Sequence, residues 1–220
     1  HIPLQSNTFT LQPIADQNWR ESWKQSFKPV FVQNTFAILP PWEDATQFSQ
    51  KFKITINPGM AFGTGQHETT RLCLEMMTKY PTPTRFFDVG TGSGILAIAA
   101  KLLGANFVCA NDIDAECMAV AADNAKNNLV HDIEFLSTPV SQIQEKNFDM
   151  IVANIQSQPL KLLVSEIIKR VHPQGVVILS GILVSEKEDF IEFLRQNNAT
   201  VVNTQNLNDW CAIVCQKTAQ

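Results

Sequence analysis

Three glycines between two apolar runs set the architecture of this chain. They lie in Arg85–Gly94, RFFDVGTGSG, where Phe86, Phe87 and Val89 predict a short buried strand. The apolar run Ile95–Leu103 predicts a helix directly after the glycines. Glycines at such a junction let the chain turn sharply, and they let a ligand approach the backbone without meeting Cβ atoms. The segment therefore predicts the strand, loop and helix of an α/β ligand-binding domain.

The spacing of the glycines distinguishes two classes of ligand. The dinucleotide fingerprint G-x-G-x-x-G, counted from Gly90, requires glycine at position 95, where this chain has Ile95. The pattern that begins at Asp88 is instead D-x-G-x-G-x-G, with Gly90 and Gly92 as its first two glycines. It suits a ligand without phosphates, whose amino-acid portion lies over the loop. S-adenosylmethionine is such a ligand, and a tight turn without a ligand is the alternative.

A second apolar segment, Val108–Asp114, ends in two acidic residues. Asp112 follows Gly90 by 22 positions (112 − 90 = 22), the spacing at which an acid accepts hydrogen bonds from ribose hydroxyls. Ile113 would then offer an apolar face to adenine. Asp114 is predicted to be the N-cap of the following helix. The segment supports a ligand that contains a nucleoside.

The composition predicts one α/β domain in a cytoplasmic protein. A chain of 220 residues that is 45% hydrophobic can bury one substantial core. No apolar run approaches the roughly 20 residues of a membrane helix, so no membrane association is expected. Five cysteines without metal-type spacing predict buried thiols in a reducing compartment and no metal site. The net charge of −4 gives no general attraction to nucleic acid and favours a basic partner.

Residues 1–50 are predicted to form a short aromatic N-terminal extension, ahead of a catalytic domain at residues 51–220. Aromatic residues at helical spacing behind Asp16 predict a helix over Trp19–Lys28. The run Phe36–Leu39 predicts a strand. The extension is expected to pack on the main domain.

An unusual run, ITINPGMAFGTGQHETT, occupies residues 54–70. It predicts a turn at Asn57–Gly59 and a helix from Gln66 onward. A Walker loop is excluded because the required G-K-[ST] ending is absent. The polar helix start is either an ordinary surface feature or a segment that closes over a cofactor. His67 is interpreted as structural rather than as a proton acceptor.

The second half of the chain predicts further strands at Ile133–Leu136, Phe148–Ala153 and Gly175–Gly181, and an antiparallel pair at Val201–Thr204 and Trp210–Val214. Asn154 follows the strand Phe148–Ala153, where open parallel sheets bind ligands. Ser157 is predicted to cap the next helix. Ser185 with Glu188 is predicted to form a capping box for the last helix.

Taken together, these segments resemble the S-adenosylmethionine-dependent methyltransferases that have a seven-stranded sheet. More narrowly, the chain is similar to the bacterial methyltransferases of large-subunit ribosomal protein L11. The similarity extends from Trp19 to Val214 and rests on WRESWKQSFKP at Trp19, NPGMAFGTGQHETT at Asn57, DVGTGSGILAIAA at Asp88, NDID at Asn111, ANI at Ala153 and LSGIL at Leu179. The run at Asn57 is the specific one, because the glycine loop alone would indicate only the superfamily.

The resemblance implies a doubly wound α/β fold, with a mostly parallel seven-stranded sheet whose last strand is antiparallel. It implies S-adenosylmethionine as the cofactor, S-adenosylhomocysteine as the product, and cofactor contacts at Thr69, Gly90, Asp112 and Asn154. Asp88, Gly92 and Ile113 complete the expected cofactor site, and Asn154 is also the expected catalytic residue. The family carries a recruiting domain ahead of its linker, of which only a fragment would fit before Trp19.

The predicted function is methyl transfer to protein amines, at lysine or N-terminal amino groups, with a basic ribosomal protein as the acceptor. A small-molecule methyltransferase and a non-catalytic S-adenosylmethionine-binding scaffold are the alternatives. A nucleic-acid adenine methyltransferase would carry Asn-Pro-Pro and an aromatic ring after the fourth strand. This chain has Asn154-Ile155-Gln156-Ser157 there, so no direct contact with nucleic acid is expected. Glu68 and Gln156–Gln158 depart from the family pattern.

Overall fold

The computed structural model describes residues 27–58 and 63–218, so nearly all of the predicted Trp19–Lys28 helix and Gly59 of the predicted turn lie outside the described residues. The described residues contain ten strands and five α-helices: β1 (Val30–Val32), β2 (Phe36–Leu39), β3 (Phe52–Thr55), α1 (Glu68–Lys79), β4 (Arg85–Val89), α2 (Ile95–Leu103), β5 (Phe107–Asn111), α3 (Ala115–Asn127), β6 (Ile133–Leu136), β7 (Phe148–Asn154), α4 (Ser157–Arg170), β8 (Val171–Leu183), α5 (Lys187–Gln196), β9 (Ala199–Leu207) and β10 (Trp210–Lys217). None of these helices is long and apolar enough to cross a bilayer.

Seven strands form one sheet in the order β6-β5-β4-β7-β8-β10-β9. The first five are mutually parallel, whereas β10 runs antiparallel to both β8 and β9. The predicted fold class is therefore confirmed. Along the chain, β5 and β6 are added to one side of β4, and β7 then pairs with β4 on its other side. A reversal of this kind leaves a crevice at the carboxyl ends of the strands, where open α/β sheets bind ligands.

Apolar side chains cover both faces of this sheet. Successive residues of a strand point to opposite faces, and Phe86 belongs to the core under α1, α2 and α3. Phe87 belongs to the core under α4 and α5, where its ring stacks on Phe148 at 5.0 Å between centroids. Both phenylalanines are fully buried. Burial on both faces explains why the strand Arg85–Val89 has a continuous apolar run instead of an alternating pattern.

A second sheet of three strands precedes the main domain. β2 is its central strand, antiparallel to β1 and parallel to β3. The predicted strand Phe36–Leu39 is confirmed. The pairing of Phe36 with Phe52 joins residues on both sides of position 50, and the division of the chain at that position stays a prediction.

Two asparagines at the end of α3 attach β3 to the main domain. Asn128 accepts a hydrogen bond from the Thr55 amide at 2.7 Å and donates one to the Thr55 carbonyl at 2.6 Å. Asn124 is buried, and its side-chain oxygen accepts from the Asn57 amide at 3.2 Å. A side-chain amide has one donor and one acceptor group, as a backbone peptide has. The side-chain amide of Asn128 therefore forms with Thr55 the two backbone hydrogen bonds that a neighbouring strand would form at this edge of β3.

The helix starts differ in part from the prediction. Asp114 is the N-cap of α3, as expected, and accepts from the Glu116 amide at 2.9 Å. The predicted cap at Ser157 is wrong, because α4 already includes this residue and its hydroxyl donates to Glu186 at 2.8 Å. The predicted capping box of Ser185 and Glu188 is also wrong. A 3₁₀ turn over Val184–Glu186 moves the start of α5 to Lys187.

Asp88 supports the glycine loop from inside the protein. Its carboxylate is fully buried and accepts hydrogen bonds from the Thr91 hydroxyl at 2.6 Å and the Ala97 amide at 3.1 Å. These contacts connect the end of β4 to both the loop and α2. Burial raises the pKa of Asp88 to about 7, although both hydrogen bonds oppose the shift.

We expect Asn128→Ala to lower the free energy of unfolding by about 1 to 3 kcal/mol, because both polar groups of Thr55 lose their partner. Urea denaturation measures this change. Asn127→Ala is the matched control, since Asn127 is the exposed neighbour in the same helix. Equal effects of the two substitutions would show that Asn128 does not hold β3.

Asp88→Asn should change how stability depends on pH. An ordinary aspartate has a pKa of about 3.9 in an unfolded chain, and the folded pKa of Asp88 is about 7. Between these two pKa values the folded protein binds one proton more than the unfolded chain does. Proton binding therefore stabilises the fold at low pH, and this stabilisation is lost as the pH rises toward 7. Asparagine does not titrate, so the variant should gain about 2 kcal/mol relative to the parent protein between pH 5 and pH 8.

Denaturation curves at the two pH values test this expectation. Asp123→Asn, at an exposed position of α3, is the control for removal of a carboxylate. A stability difference between the Asp88→Asn variant and the parent protein that stays constant with pH would contradict the raised pKa.

Candidate functional site

A cavity of about 740 Å³ opens at the carboxyl ends of β4, β5 and β7, where the strand order reverses. Its volume lies within the range of roughly 300 to 1,000 Å³ that is typical of small-molecule sites. Six of the seven predicted site residues line it: Thr69, Gly90, Gly92, Asp112, Ile113 and Asn154. Asp88 does not line the cavity, because its side chain points into the protein under the glycine loop.

The glycine loop forms the floor of the cavity. The amides of Gly90 and Thr91 both donate to the carbonyl of Asn111, each at 2.9 Å. Gly90 has a φ of +71°, and a Cβ atom there would lie 2.8 Å from the side chain of Ile155. Glycine is favoured at this position by its conformation, since a positive φ is strained for residues with a side chain. The loop is therefore fixed to β5, and its glycines contribute no side-chain atoms to the floor of the cavity.

Asp112 follows β5 and lies at the cavity wall. One carboxylate oxygen accepts from the Gly92 amide and the other from the Asp114 amide, each at 3.1 Å. A carboxylate has about four lone-pair sites, so both oxygens can still accept from a ligand. Ile113 is 83% exposed beside it. An anchored acid next to an exposed apolar face matches a ribose with an attached base.

Asn154 ends β7 on the other side of the glycine loop. Its side-chain nitrogen donates to the Thr70 hydroxyl at 3.3 Å. Its side-chain oxygen is buried and has no hydrogen-bond partner among the described residues. A buried acceptor without a donor costs free energy. Asn154 lines the cavity, and a ligand N–H group that reached this oxygen would supply the missing donor.

Helix α1 begins beside Asn154. It starts at Glu68 with His67 as N-cap, not at Gln66 as expected. The Nδ1 atom of His67 accepts from the Thr69 amide at 3.3 Å and lies 2.9 Å from the Thr69 hydroxyl oxygen. The ring of His67 also meets Trp210 edge to face, at 5.0 Å between centroids. These contacts support the structural interpretation of His67.

Sequence reasoning missed the opposite end of the cavity, where its lining includes Cys117, Pro139, Val140, Ser141, Leu162, Leu163 and Glu166. Residues 139–141 follow β6, so the rule that ligands bind beyond carboxyl strand ends could have indicated them. No sequence signal marks Leu162, which is 83% exposed on α4. Cys117 also corrects the expectation of buried thiols, because it is only partly buried while the other four cysteines are buried.

The residues that line this cavity fit S-adenosylmethionine. Asp112 can accept from both ribose hydroxyls, Ile113 can cover the base, and the bare glycine loop can accommodate the amino-acid portion. A dinucleotide fits less well, because Ile95 stands where its fingerprint requires the third glycine.

Comparison with known proteins identifies a family. The family model described as ribosomal protein L11 methyltransferase (PrmA) matches residues 1–218. The chain is similar to the ribosomal protein L11 methyltransferases of Caldicellulosiruptor saccharolyticus, at 41% identity over 99% of this chain and 72% of the relative, and of Caldicellulosiruptor bescii, at 38% identity over 99% and 71%.

Solved structures support the same assignment. A ribosomal protein L11 methylase from Lactobacillus delbrueckii subsp. bulgaricus has a TM-score of 0.81 at 33% identity, covering 88% of this chain and 100% of that one. A Burkholderia thailandensis N1-methyltransferase solved with S-adenosylhomocysteine shares only the fold, with a TM-score of 0.59 at 16% identity over 70% of this chain and 80% of that one. The chain is an S-adenosylmethionine-dependent methyltransferase, and it belongs to the ribosomal protein L11 methyltransferase family.

Proposed function

We propose that this chain methylates amino groups of ribosomal protein L11, at lysine side chains or the N-terminus, with Asn154 orienting the acceptor amine. The observation that carries this proposal is the buried side-chain oxygen of Asn154, which has no partner among the described residues and belongs to a residue that lines the cavity beside the glycine loop. The names of the curated relatives support L11 as the acceptor.

Residues at the carboxyl edge of the sheet would hold the cofactor. Asp112 would accept from its ribose hydroxyls, Ile113 would cover its adenine, and Gly90 and Gly92 would lie under its amino-acid portion. Thr69 would contact it from the start of α1. When bound, S-adenosylmethionine supplies a methyl group that is already activated by its attachment to a sulfonium. The protein therefore has mainly to align the acceptor and exclude water.

Asn154 is suited to align an amine because its own orientation is fixed. Its nitrogen donates to the Thr70 hydroxyl, and with that contact in place its side-chain oxygen is the free acceptor of the amide. An N–H group of the amine can donate to that oxygen and leave the nitrogen lone pair free for attack. An amide oxygen of this kind favours an active enzyme over a non-catalytic scaffold.

The acceptor amine must be neutral to react. For a lysine with a pKa of about 10.4, deprotonation at pH 7 costs roughly 4 to 5 kcal/mol. Ile155 and Trp210 line the cavity near Asn154, and apolar surroundings lower the pKa of a lysine because they disfavour its charged form. Because the Nδ1 atom of His67 lies against Thr69, we assign that histidine no proton transfer.

The net charge of −4 favours a basic acceptor protein over nucleic acid. Ribosomal proteins are such acceptors, and a ribosomal substrate implies a cytoplasmic location. The proposal therefore includes no direct contact with nucleic acid and no membrane.

Asp112→Ala should weaken S-adenosylmethionine binding by about 1.5 to 3 kcal/mol, since hydrogen bonds to a charged group are lost. Calorimetry measures the dissociation constants of the variant and of the parent protein. Asp123→Ala, at an exposed position of α3, is the control and should bind normally. Tight binding of NAD by the parent protein, or an unchanged constant in the Asp112→Ala variant, would refute the assignment of the cofactor site.

Asn154→Ala should reduce the turnover of L11 methylation about tenfold or more while changing cofactor affinity only a few-fold, because the lost contact aligns the nucleophile. Thr70→Val should have a smaller effect in the same direction, since the Asn154 amide remains but can rotate. Steady-state kinetics with purified L11 protein, together with calorimetry, separate the two quantities. Equal losses of turnover and of cofactor affinity would contradict the role of Asn154.

A further inference from the structure

The loop between β6 and β7 is fastened to the protein by its carbonyl groups. We define the base loop as Thr138–Ile143. The buried side chain of Asn111 donates to the Thr138 carbonyl at 2.8 Å. Arg170 donates to the Ser141 carbonyl at 3.2 Å and to the Ile143 carbonyl at 2.8 Å. Side chains from β5 and α4 thus hold the base loop at three points.

Arg170 is unusual because it is a buried charge. Among the described residues only Asp88 and Arg170 are buried side chains of a charged type, and Arg170 is 4% exposed. Removing a guanidinium from water is costly unless its donors are satisfied. Besides the base loop, Arg170 contacts the Glu166 carboxylate at 2.7 Å and the Glu166 carbonyl at 2.9 Å. The Nε atom donates to the Ile143 carbonyl as well, at 3.3 Å, so every donor group of the fork is engaged.

The base loop forms a wall of the cavity, whereas Arg170 does not. Pro139, Val140 and Ser141 line the cavity together with Glu166. Any effect of Arg170 on a ligand must therefore act through the base loop or through Glu166. A neighbouring cation, Lys169, also pairs with the Glu166 carboxylate at 2.7 Å but makes no hydrogen bond to the base loop, all of which lies within the described residues.

The strand order indicates which part of the ligand meets the base loop. Asp112 follows β5, Asn154 ends β7, and β4 lies between these strands. The base loop follows β6, which lies beyond β5. A ligand with its ribose at Asp112 and its reactive end toward Asn154 therefore directs its base toward the base loop.

We propose that Arg170 is a positioning residue for adenine recognition, which acts by holding the base loop against the edge of the adenine ring. The inference rests on the proposed cofactor site. In this arrangement Arg170 fixes the carbonyl side of the loop, and the loop surface on the cavity side contacts the base. A loop held in place rejects a base whose donor and acceptor groups are exchanged, because the loop groups that pair with adenine then lose their partners.

The test compares two product analogues that differ at one position of the base. S-adenosylhomocysteine carries an amino group at C6, and S-inosylhomocysteine carries an oxygen there. Calorimetry gives both dissociation constants for the parent protein, Arg170→Met and Lys169→Met. We expect the parent protein to prefer the adenine analogue by about tenfold or more. Arg170→Met should reduce this preference to about threefold or less, while Lys169→Met, which removes one cation from the same glutamate, should keep it.

A role confined to stability would lower the melting temperature of Arg170→Met and leave the ratio of the two constants unchanged, and that result would overturn the proposal. Equal dissociation constants of the two analogues for the parent protein would also overturn the proposal. If Arg170→Met does not fold, the ratio of the two dissociation constants is measured for Arg170→Lys instead. Lysine keeps the charge but lacks the planar fork of donors, so this variant should also show a reduced preference for the adenine analogue. Failure of the parent protein to bind S-adenosylhomocysteine would instead refute the cofactor site itself, and the inference with it.

Discussion

The hydrogen bonds that hold the glycine loop are the interaction on which the rest of the site depends. The carbonyl of Asn111 accepts from two successive loop amides, and Asp88 supports the same loop from below. Backbone groups that are paired inside the protein leave the upper surface of the loop free for a ligand. Asp112 is attached to the same loop through the Gly92 amide. The floor and the acidic wall of the cavity therefore form one rigid unit, and rigid placement of polar groups is what binding and catalysis require.

Asparagine side chains connect this unit to distant parts of the chain. Asn124 donates to the Ser93 carbonyl in the glycine loop and accepts from the Asn57 amide ahead of α1. The Ser93 hydroxyl donates to the Gly63 carbonyl at 2.7 Å. Segments on both sides of residues 59–62 are thus bonded to the loop that forms the floor of the cavity. These contacts explain how residues 63–70 are brought to the cavity although they lie outside the main sheet.

Sequence reasoning predicted the parts of the molecule that local patterns determine. The glycine spacing, the strand ends and the apolar runs correctly indicated the fold, and they indicated five of the residues that line the cavity, whereas Thr69 came from the family resemblance. The predictions from sequence were wrong where residues distant in the chain form the hydrogen bonds or the packing contacts. Ser157 has the residue type of an N-cap, yet its hydroxyl bonds to Glu186, 29 positions later. Arg170 looks like an ordinary basic residue at a helix end, and only the packing of α4 against the base loop buries it. Asp88 was placed in the site by its motif, but the fold turns it inward.

Methyl transfer to L11 itself is the most direct measurement of the proposed function. This chain is incubated with purified L11 protein and S-adenosylmethionine that carries an isotope-labelled methyl group, and the L11 peptides are mapped by mass spectrometry. The proposed function predicts label on amino groups of L11, at lysine side chains or at the N-terminus. Label that appears only on metabolites of a cell extract, or on L11 atoms other than amine nitrogens, would contradict it.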